Sequence, residues 1–307
     1  MAGFVLVSEP RFLIHPGYPK AGSTSLQANV FAHHPDVRYL SNHSAPGDPF
    51  RDFGQTIEFH ALLRDMKLDS LPRIGELWRE HMYPAADTKR LNIISDETFL
   101  TNEGPHNEIA SSLRDLVCEA KVLIVVRPQE DILRSVYDMY PWLSGDSARR
   151  FLPFQKWLDQ TLAHAESNVA GALTYCDVVA RYRDLFGGEK VTVISFERLF
   201  NDPHAQTELC ARLGINGAEF SRLIAETPSN TAHDHSSKKL VRRVLGPVRG
   251  SSFLTPGQIR AIRGMLTRVL PHRKTEVGPA EQAKIEAFYA GQRITDLGRR
   301  WADGLIL

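Results

Sequence analysis

Four short runs of consecutive apolar and β-branched residues constrain this chain most: "RFLIH" (11–15), "LNIIS" (91–95), "KVLIVV" (121–126) and "KVTVIS" (190–195). They are continuous more than alternating, which is how strands read when both faces of a parallel sheet are covered by helices. Helical patterns fall between them. "TSLQANVFAHH" puts Leu26, Val30 and Phe31 on one face and stops before Pro35, and "NEIASSLRDLVCEA" puts Ile109, Leu113, Leu116 and Val117 on one stripe. "DILRSVYDMY" and "DVVARYRDLFG" behave in the same way. Strands alternating with helices predict a doubly wound α/β fold, a parallel sheet flanked by helices, with ligands outside the carboxyl ends of the strands.

The segment 44–90 holds helical pieces but no strand signal, so it reads as a helical insertion beside the active site. From 201 to 307 the chain reads as wholly helical, including "TPGQIRAIRGMLTRVL" and "PAEQAKIEAFYAGQRITDLGRRW", with Pro256 and Pro279 near helix starts. No repeat, low-complexity tract or long linker divides the sequence. A single domain over 1–307, large enough to bury a sizeable core, is the expected organisation.

Lys and Arg number 37 against 36 Asp and Glu, a formal charge of +1, so no global field draws the chain to nucleic acid or to an anionic membrane. Any anion site must be local. Cys118, Cys176 and Cys210 stand far apart without a CxxC pair, which argues against a disulfide framework or a cysteine-built metal site and fits packing roles in a reducing compartment. The N-terminal "MAGFVLVSEPRFLIH" lacks a charged region before its apolar stretch, and no window reaches the roughly 18 apolar residues of a spanning helix. A cytoplasmic protein with no membrane span is expected.

Between the first strand and the first helix lies "GYPKAGSTS", residues 17–25. A strand, a glycine turn and a helix start form the P-loop type of corner, where outward backbone N–H groups and the helix dipole favour an anion. Gly17 and Gly22 have Walker A spacing, yet Ser23 stands where that motif needs lysine, and the cation of the loop is the earlier Lys20. Such a loop would hold β- and γ-phosphates poorly. It suits a smaller anion, met by backbone amides, by the hydroxyls of Ser23, Thr24 and Ser25, and by Lys20. The alternative is a glycine turn with Ser or Thr capping the helix.

A second constellation, "KVLIVVRPQEDILRSVYDMY", is a buried strand followed by Arg127 at its carboxyl end and Ser135 eight residues later on a helix. Arginine there projects into the ligand crevice, and its planar fork suits bidentate grip on a phosphate. A surface Arg127 paired with Glu130 or Asp131 is the competing reading.

The two segments in this order resemble the sulfotransferases that use 3′-phosphoadenosine-5′-phosphosulfate (PAPS). "PKAGSTS" looks like their 5′-phosphosulfate loop, and "RPQEDILRS" like their 3′-phosphate motif, Arg with Ser eight positions on. "VTVISFERLFNDP" and "CARLGI" are similar to later family elements, so the resemblance spans roughly residues 11–215. Arg127-Pro128 replaces the usual Arg-Asn-Pro, and Ser23 replaces the first loop threonine; a cation and a hydroxyl are retained in each. The resemblance implies PAPS as co-substrate, held by Lys20, Ala21, Gly22, Ser23, Thr24, Ser25, Arg127 and Ser135. It further implies that Lys20 neutralises the bridging region as the sulfuryl group leaves. A sulfuryl group carries less negative charge than a phosphoryl group, so no metal is required.

An acceptor hydroxyl needs a base. "LNIIS" runs into "DETF", which places Asp96 and Glu97 at the carboxyl edge beside the loop if these strands are neighbours. Carbohydrate sulfotransferases carry a glutamate base after the corresponding strand, so Glu97 is the expected base, Asp96 its alternative, and a sugar hydroxyl the expected acceptor. Solvated loop acids are the competing reading. "HDHSSKK" carries His233 and His235 without a third metal ligand, and Lys238, Lys239 and Arg242 are candidates to cover the 3′-phosphate. His15, His33 and His34 read as structural. Two rivals predict other outcomes: a P-loop kinase needs the Walker lysine and magnesium acids, and a non-catalytic nucleotide-binding module would bind without turnover.

Overall fold

The computed structural model describes residues 9–41, 54–65, 70–100, 106–143, 152–226, 275–301 and 303–307. Strands β1 (Arg11–Pro16), β2 (Val37–Tyr39), β3 (Leu91–Asp96), β4 (Lys121–Val126), β5 (Val191–Ser195) and β6 (Leu305–Ile306) form one sheet in the order β2-β3-β1-β4-β5-β6. Every pairing is parallel. The four strands expected from sequence are present, each boundary within one residue. All of β3 and β5 is buried, as is every residue after the first in β1 and β4, which is why these runs are apolar throughout.

Two strands go beyond the sequence reading. β2 has three residues and β6 has two, too few to carry a period, and both are edge strands whose form comes from the ladder they join. Leu305 and Ile306 pair with Val193 and Ile194, so the reading of 201–307 as wholly helical is corrected at its end. The pattern at 279–301 also divides, into helices Pro279–Phe288 and Ile294–Arg300, around Gly291 at φ 75°. The pattern at 255–270, with Pro256, lies outside the described residues.

Helix α1 begins at Ser23–Ser25 and continues as a π-helical stretch, Leu26–Phe31, burying Leu26, Val30 and Phe31 as the sequence pattern requires. The described part of the insertion contains α2 (Gly54–Asp65) and α3 (Leu71–Leu77) and no strand. Helix α4 (His106–Leu116) leads to β4, and α5 (Gln129–Leu143) leaves it. Cys176 and Cys210 are buried, whereas Cys118 is exposed and has no packing role. Among the described residues no helix is long and apolar enough to cross a membrane.

Candidate active site

Sheet order decides which residues meet. From β1 the sheet extends one way through β3 and β2 and the other way through β4, β5 and β6, so the crevice at the switch point opens at the carboxyl end of β1. Register places Pro16 opposite Asp96, and the Gly17 N–H donates to the Asp96 carbonyl at 3.1 Å. The loop therefore starts beside Asp96 and Glu97, the adjacency that the sequence left conditional. On its other flank β1 pairs with β4, which ends next to Arg127.

The loop is shaped by close backbone approach. A Cβ on Gly17 would lie 2.4 Å from Ser23 Oγ, and one on Gly22 would lie 2.5 Å from the Phe200 ring. Gly22 also has φ +84°, which glycine adopts at no steric cost. Lys20 is the one non-glycine residue with positive φ among the described residues, at 65°. A side-chain-bearing residue held there costs about 1–3 kcal/mol and is the kind of strain that gathers at ligand clamps.

The three hydroxyls divide their work. Ser23 Oγ is buried and donates to the Tyr18 carbonyl at 3.0 Å, so it braces the loop from inside. Thr24 is exposed and donates to Glu97 Oε1 at 3.0 Å. Ser25 is buried in the first helical turn.

Lys20 and Glu97 share one electrostatic environment. Burial lowers the proton affinity of Lys20, Glu97 opposes that, and Arg127 adds to it. Burial raises the Glu97 pKa, the hydrogen bond from Thr24 and the charge of Lys20 pull it back, and Asp96 pushes it further up. The outcome is a carboxylate with a raised pKa beside a cation on the loop between β1 and α1. Asp96 is placed differently: it is only 6% exposed, and its Oδ2 lies 3.7 Å from Nδ1 of the buried His60.

Arg127 leans over the loop. Its Nη1 donates to the Lys20 carbonyl at 3.1 Å, its guanidinium sits 4.7 Å from the centre of the Phe196 ring, and its own carbonyl accepts from Tyr175 Oη. Nε is buried without a hydrogen-bond partner and lies 3.9 Å from Asp131 and 4.0 Å from Glu197. Glu130 turns instead to Arg293, at 3.5 Å. Ser135 is half-buried in the second turn of α5.

Phe196 and Phe200, one turn apart on the helix Phe196–Asn201, were visible in "FERLF" only as part of a family-like turn. Their rings, 4.7 Å apart, support Arg127 and Gly22 respectively. His60 had a fainter signal, an ionisable residue on the apolar face of "IEFHALL". His15 is structural: it is buried, Nδ1 meets Ser95 Oγ at 2.7 Å, and burial pushes its pKa down to about 3, so the ring is neutral. His34 is likewise engaged, with Nε2 3.0 Å from the Asn216 carbonyl. His233, His235, Lys238, Lys239 and Arg242 lie outside the described residues.

The family model described as a sulfotransferase domain matches residues 10–242. A sequence comparison with curated proteins finds no match. Among solved structures, a sulfotransferase from Alicyclobacillus acidocaldarius is 21% identical over 92% of this chain and 96% of its own, with a TM-score of 0.45. A mouse sulfotransferase complexed with PAP is 16% identical over 95% and 87%, at 0.46. The sulfotransferase domain of the Synechococcus PCC 7002 olefin synthase is 16% identical over 86% and 96%, at 0.43.

Proposed function

The chain belongs to the sulfotransferase domain family, and from that premise we propose that it moves a sulfonate group from PAPS to a hydroxyl of a carbohydrate or glycoconjugate. That it is an enzyme of sulfonate transfer follows from the family; the donor, the acceptor class and the residue roles are our reading. The observation that carries it is the Thr24–Glu97 hydrogen bond of 3.0 Å, which ties the anion loop to the carboxylate at the end of β3. Donor loop and base are thereby built as one unit.

In this reading the N–H groups of Gly22, Ser23, Thr24 and Ser25 hold the 5′-phosphosulfate at the start of α1, and Ala21, whose own N–H donates to the Tyr18 carbonyl at 3.3 Å, closes the turn beneath it. Arg127 and Ser135 hold the 3′-phosphate. The donor suits the residues present: Arg127 carries a buried Nε with no hydrogen-bond partner, so part of its fork is left for an anion. Glu97 takes the proton from the acceptor hydroxyl as the acceptor oxygen forms a bond to sulfur. The bond from sulfur to the bridging phosphate oxygen breaks, and Lys20 offsets the charge that develops there. The products are the sulfate ester and 3′,5′-adenosine bisphosphate (PAP). The glutamate, in the place where a phenol-type enzyme carries histidine, favours a sugar acceptor.

Two measurements test this. PAP without magnesium should raise the unfolding temperature; stabilisation only by magnesium-ATP would sink the reading in favour of a kinase. Glu97→Gln should lower kcat by roughly 10²–10⁴-fold with PAP binding nearly intact, whereas Lys20→Ala should weaken both binding and transfer. Because a base acts deprotonated and burial raises the Glu97 pKa, kcat/KM should fall on the acid side at a pH above the usual carboxylate range, about 4.3. Screening acceptors with labelled PAPS identifies the hydroxyl.

A further inference from the structure

Gln129 follows Arg127 by two residues, at the start of α5, and is 1% exposed. Its Nε2 lies 2.9 Å from the Gln292 carbonyl and 3.3 Å from the Leu173 carbonyl. A carboxamide nitrogen has two hydrogens and a carbonyl only accepts, so one hydrogen goes to each. The usual Arg-Asn-Pro is Arg127-Pro128-Gln129 in this chain, and Gln129 stands where a proline, with no side-chain donor, is usual. Its two acceptors come from distant segments. Leu173 ends the helix Val169–Ala172, two residues before Tyr175, whose Oη donates to the Arg127 carbonyl. Gln292 lies in the turn between the helices Pro279–Phe288 and Ile294–Arg300. That turn is pinned on either side: Tyr289 Oη donates to the Ala170 carbonyl at 2.9 Å, Gln292 Oε1 accepts from the Asp177 N–H at 3.2 Å, and Arg293 Nη2 lies 3.5 Å from Glu130 Oε1.

We propose that Gln129 is a positioning residue for Arg127, tying the 3′-phosphate anchor to the turn 289–293, so that the C-terminal part of the chain sets how tightly that phosphate is held. The inference rests on reading Arg127 as the 3′-phosphate anchor. A guanidinium grips a phosphate through two parallel bonds only when the backbone beneath it is fixed in place and direction. Here that backbone is held by Tyr175 at residue 127 and by the Gln129 carboxamide two residues on. Removing the carboxamide leaves two carbonyls without this donor, and the first turn of α5 is then free to shift with Arg127 on it.

The experiment compares PAP with adenosine 5′-monophosphate (AMP), which lacks only the 3′-phosphate, by calorimetry on the full chain. Gln129→Met keeps the length of the side chain and removes the donors; it should weaken PAP by roughly 3- to 10-fold and leave AMP within about twofold. In an Arg127→Ala background the same substitution should weaken PAP by less than about twofold, because the group it positions is gone. Damage to the fold would strike both nucleotides alike. An equal loss for both, no loss of PAP, or the same loss without Arg127 overturns the proposal. A second readout needs no variant to fold: in the unaltered protein, saturating PAP should slow amide hydrogen exchange across 289–293 more than saturating AMP does, because coupling between two places is reciprocal. Equal protection overturns it. An unaltered protein that binds PAP no better than AMP refutes the 3′-phosphate reading of Arg127, and the proposal with it, whereas a preference for PAP that survives Gln129→Met undiminished refutes the positioning alone.

Discussion

The two proposed anion anchors, the loop at 17–25 and Arg127, are built by different means. The loop at 17–25 is a backbone device: Gly17 and Gly22 have no room for a Cβ, Lys20 is held at φ 65°, and the Ser23 hydroxyl is turned inward to the Tyr18 carbonyl. The anchor at Arg127 is a side-chain device, one guanidinium steadied by a ring, a carbonyl and two carboxylates about 4 Å away. A backbone device loses everything when one atom is added, because its donors are placed together. A side-chain device loses only the contact removed, and the acids beside Arg127 partly balance its charge before any ligand arrives.

That contrast can be broken in order of expected effect. Gly22→Ala should be the most damaging change: the left-handed backbone alone costs about 1–3 kcal/mol, the new Cβ meets the Phe200 ring, and PAP stabilisation should vanish from the melting curve. If Gly22→Ala binds PAP normally, the loop is not a backbone device. Arg127→Ala should come next, weakening PAP by roughly 10- to 100-fold in calorimetry while the fold holds. Ser135→Ala removes one neutral hydroxyl and should cost only about two- to ten-fold in the same titration; an effect equal to that of Arg127→Ala would mean the second anchor acts as a unit. The smallest difference separates Lys20→Gly from Lys20→Ala. Both lose the ammonium equally, but glycine relieves the positive φ, so Lys20→Gly should be more stable by about 1 kcal/mol in chemical denaturation.

Much of this site was legible because it is local. Lys20 and Gly22 with the hydroxyl run sit in one short segment, Arg127 directly follows a buried strand, and Glu97 directly follows another, so strand ends could be read as site positions. What stayed hidden is pairwise and distant. That Thr24 would hold Glu97, that Phe196 would underlie Arg127, and that His60 would face Asp96 each depends on contacts across 36 to 73 positions of chain. Short edge strands were missed for the same reason, since Val37–Tyr39 and Leu305–Ile306 are strands through their neighbours more than through their own residues.

By itself the sequence determined a parallel α/β sheet and a loop whose lysine precedes its second glycine, the order in which it resembles a phosphosulfate loop. Hydrophobic periodicity and the steric needs of glycine act over a few residues, and such constraints are written where they apply. Only the tertiary structure decided that β1 lies between β3 and β4, and so that Glu97 and Arg127 flank one loop. It also decided that of two adjacent carboxylates one is buried against His60 and the other turned to Thr24. Strand order and burial arise from the whole packed core, in which each side chain's surroundings are set by residues far away in the chain.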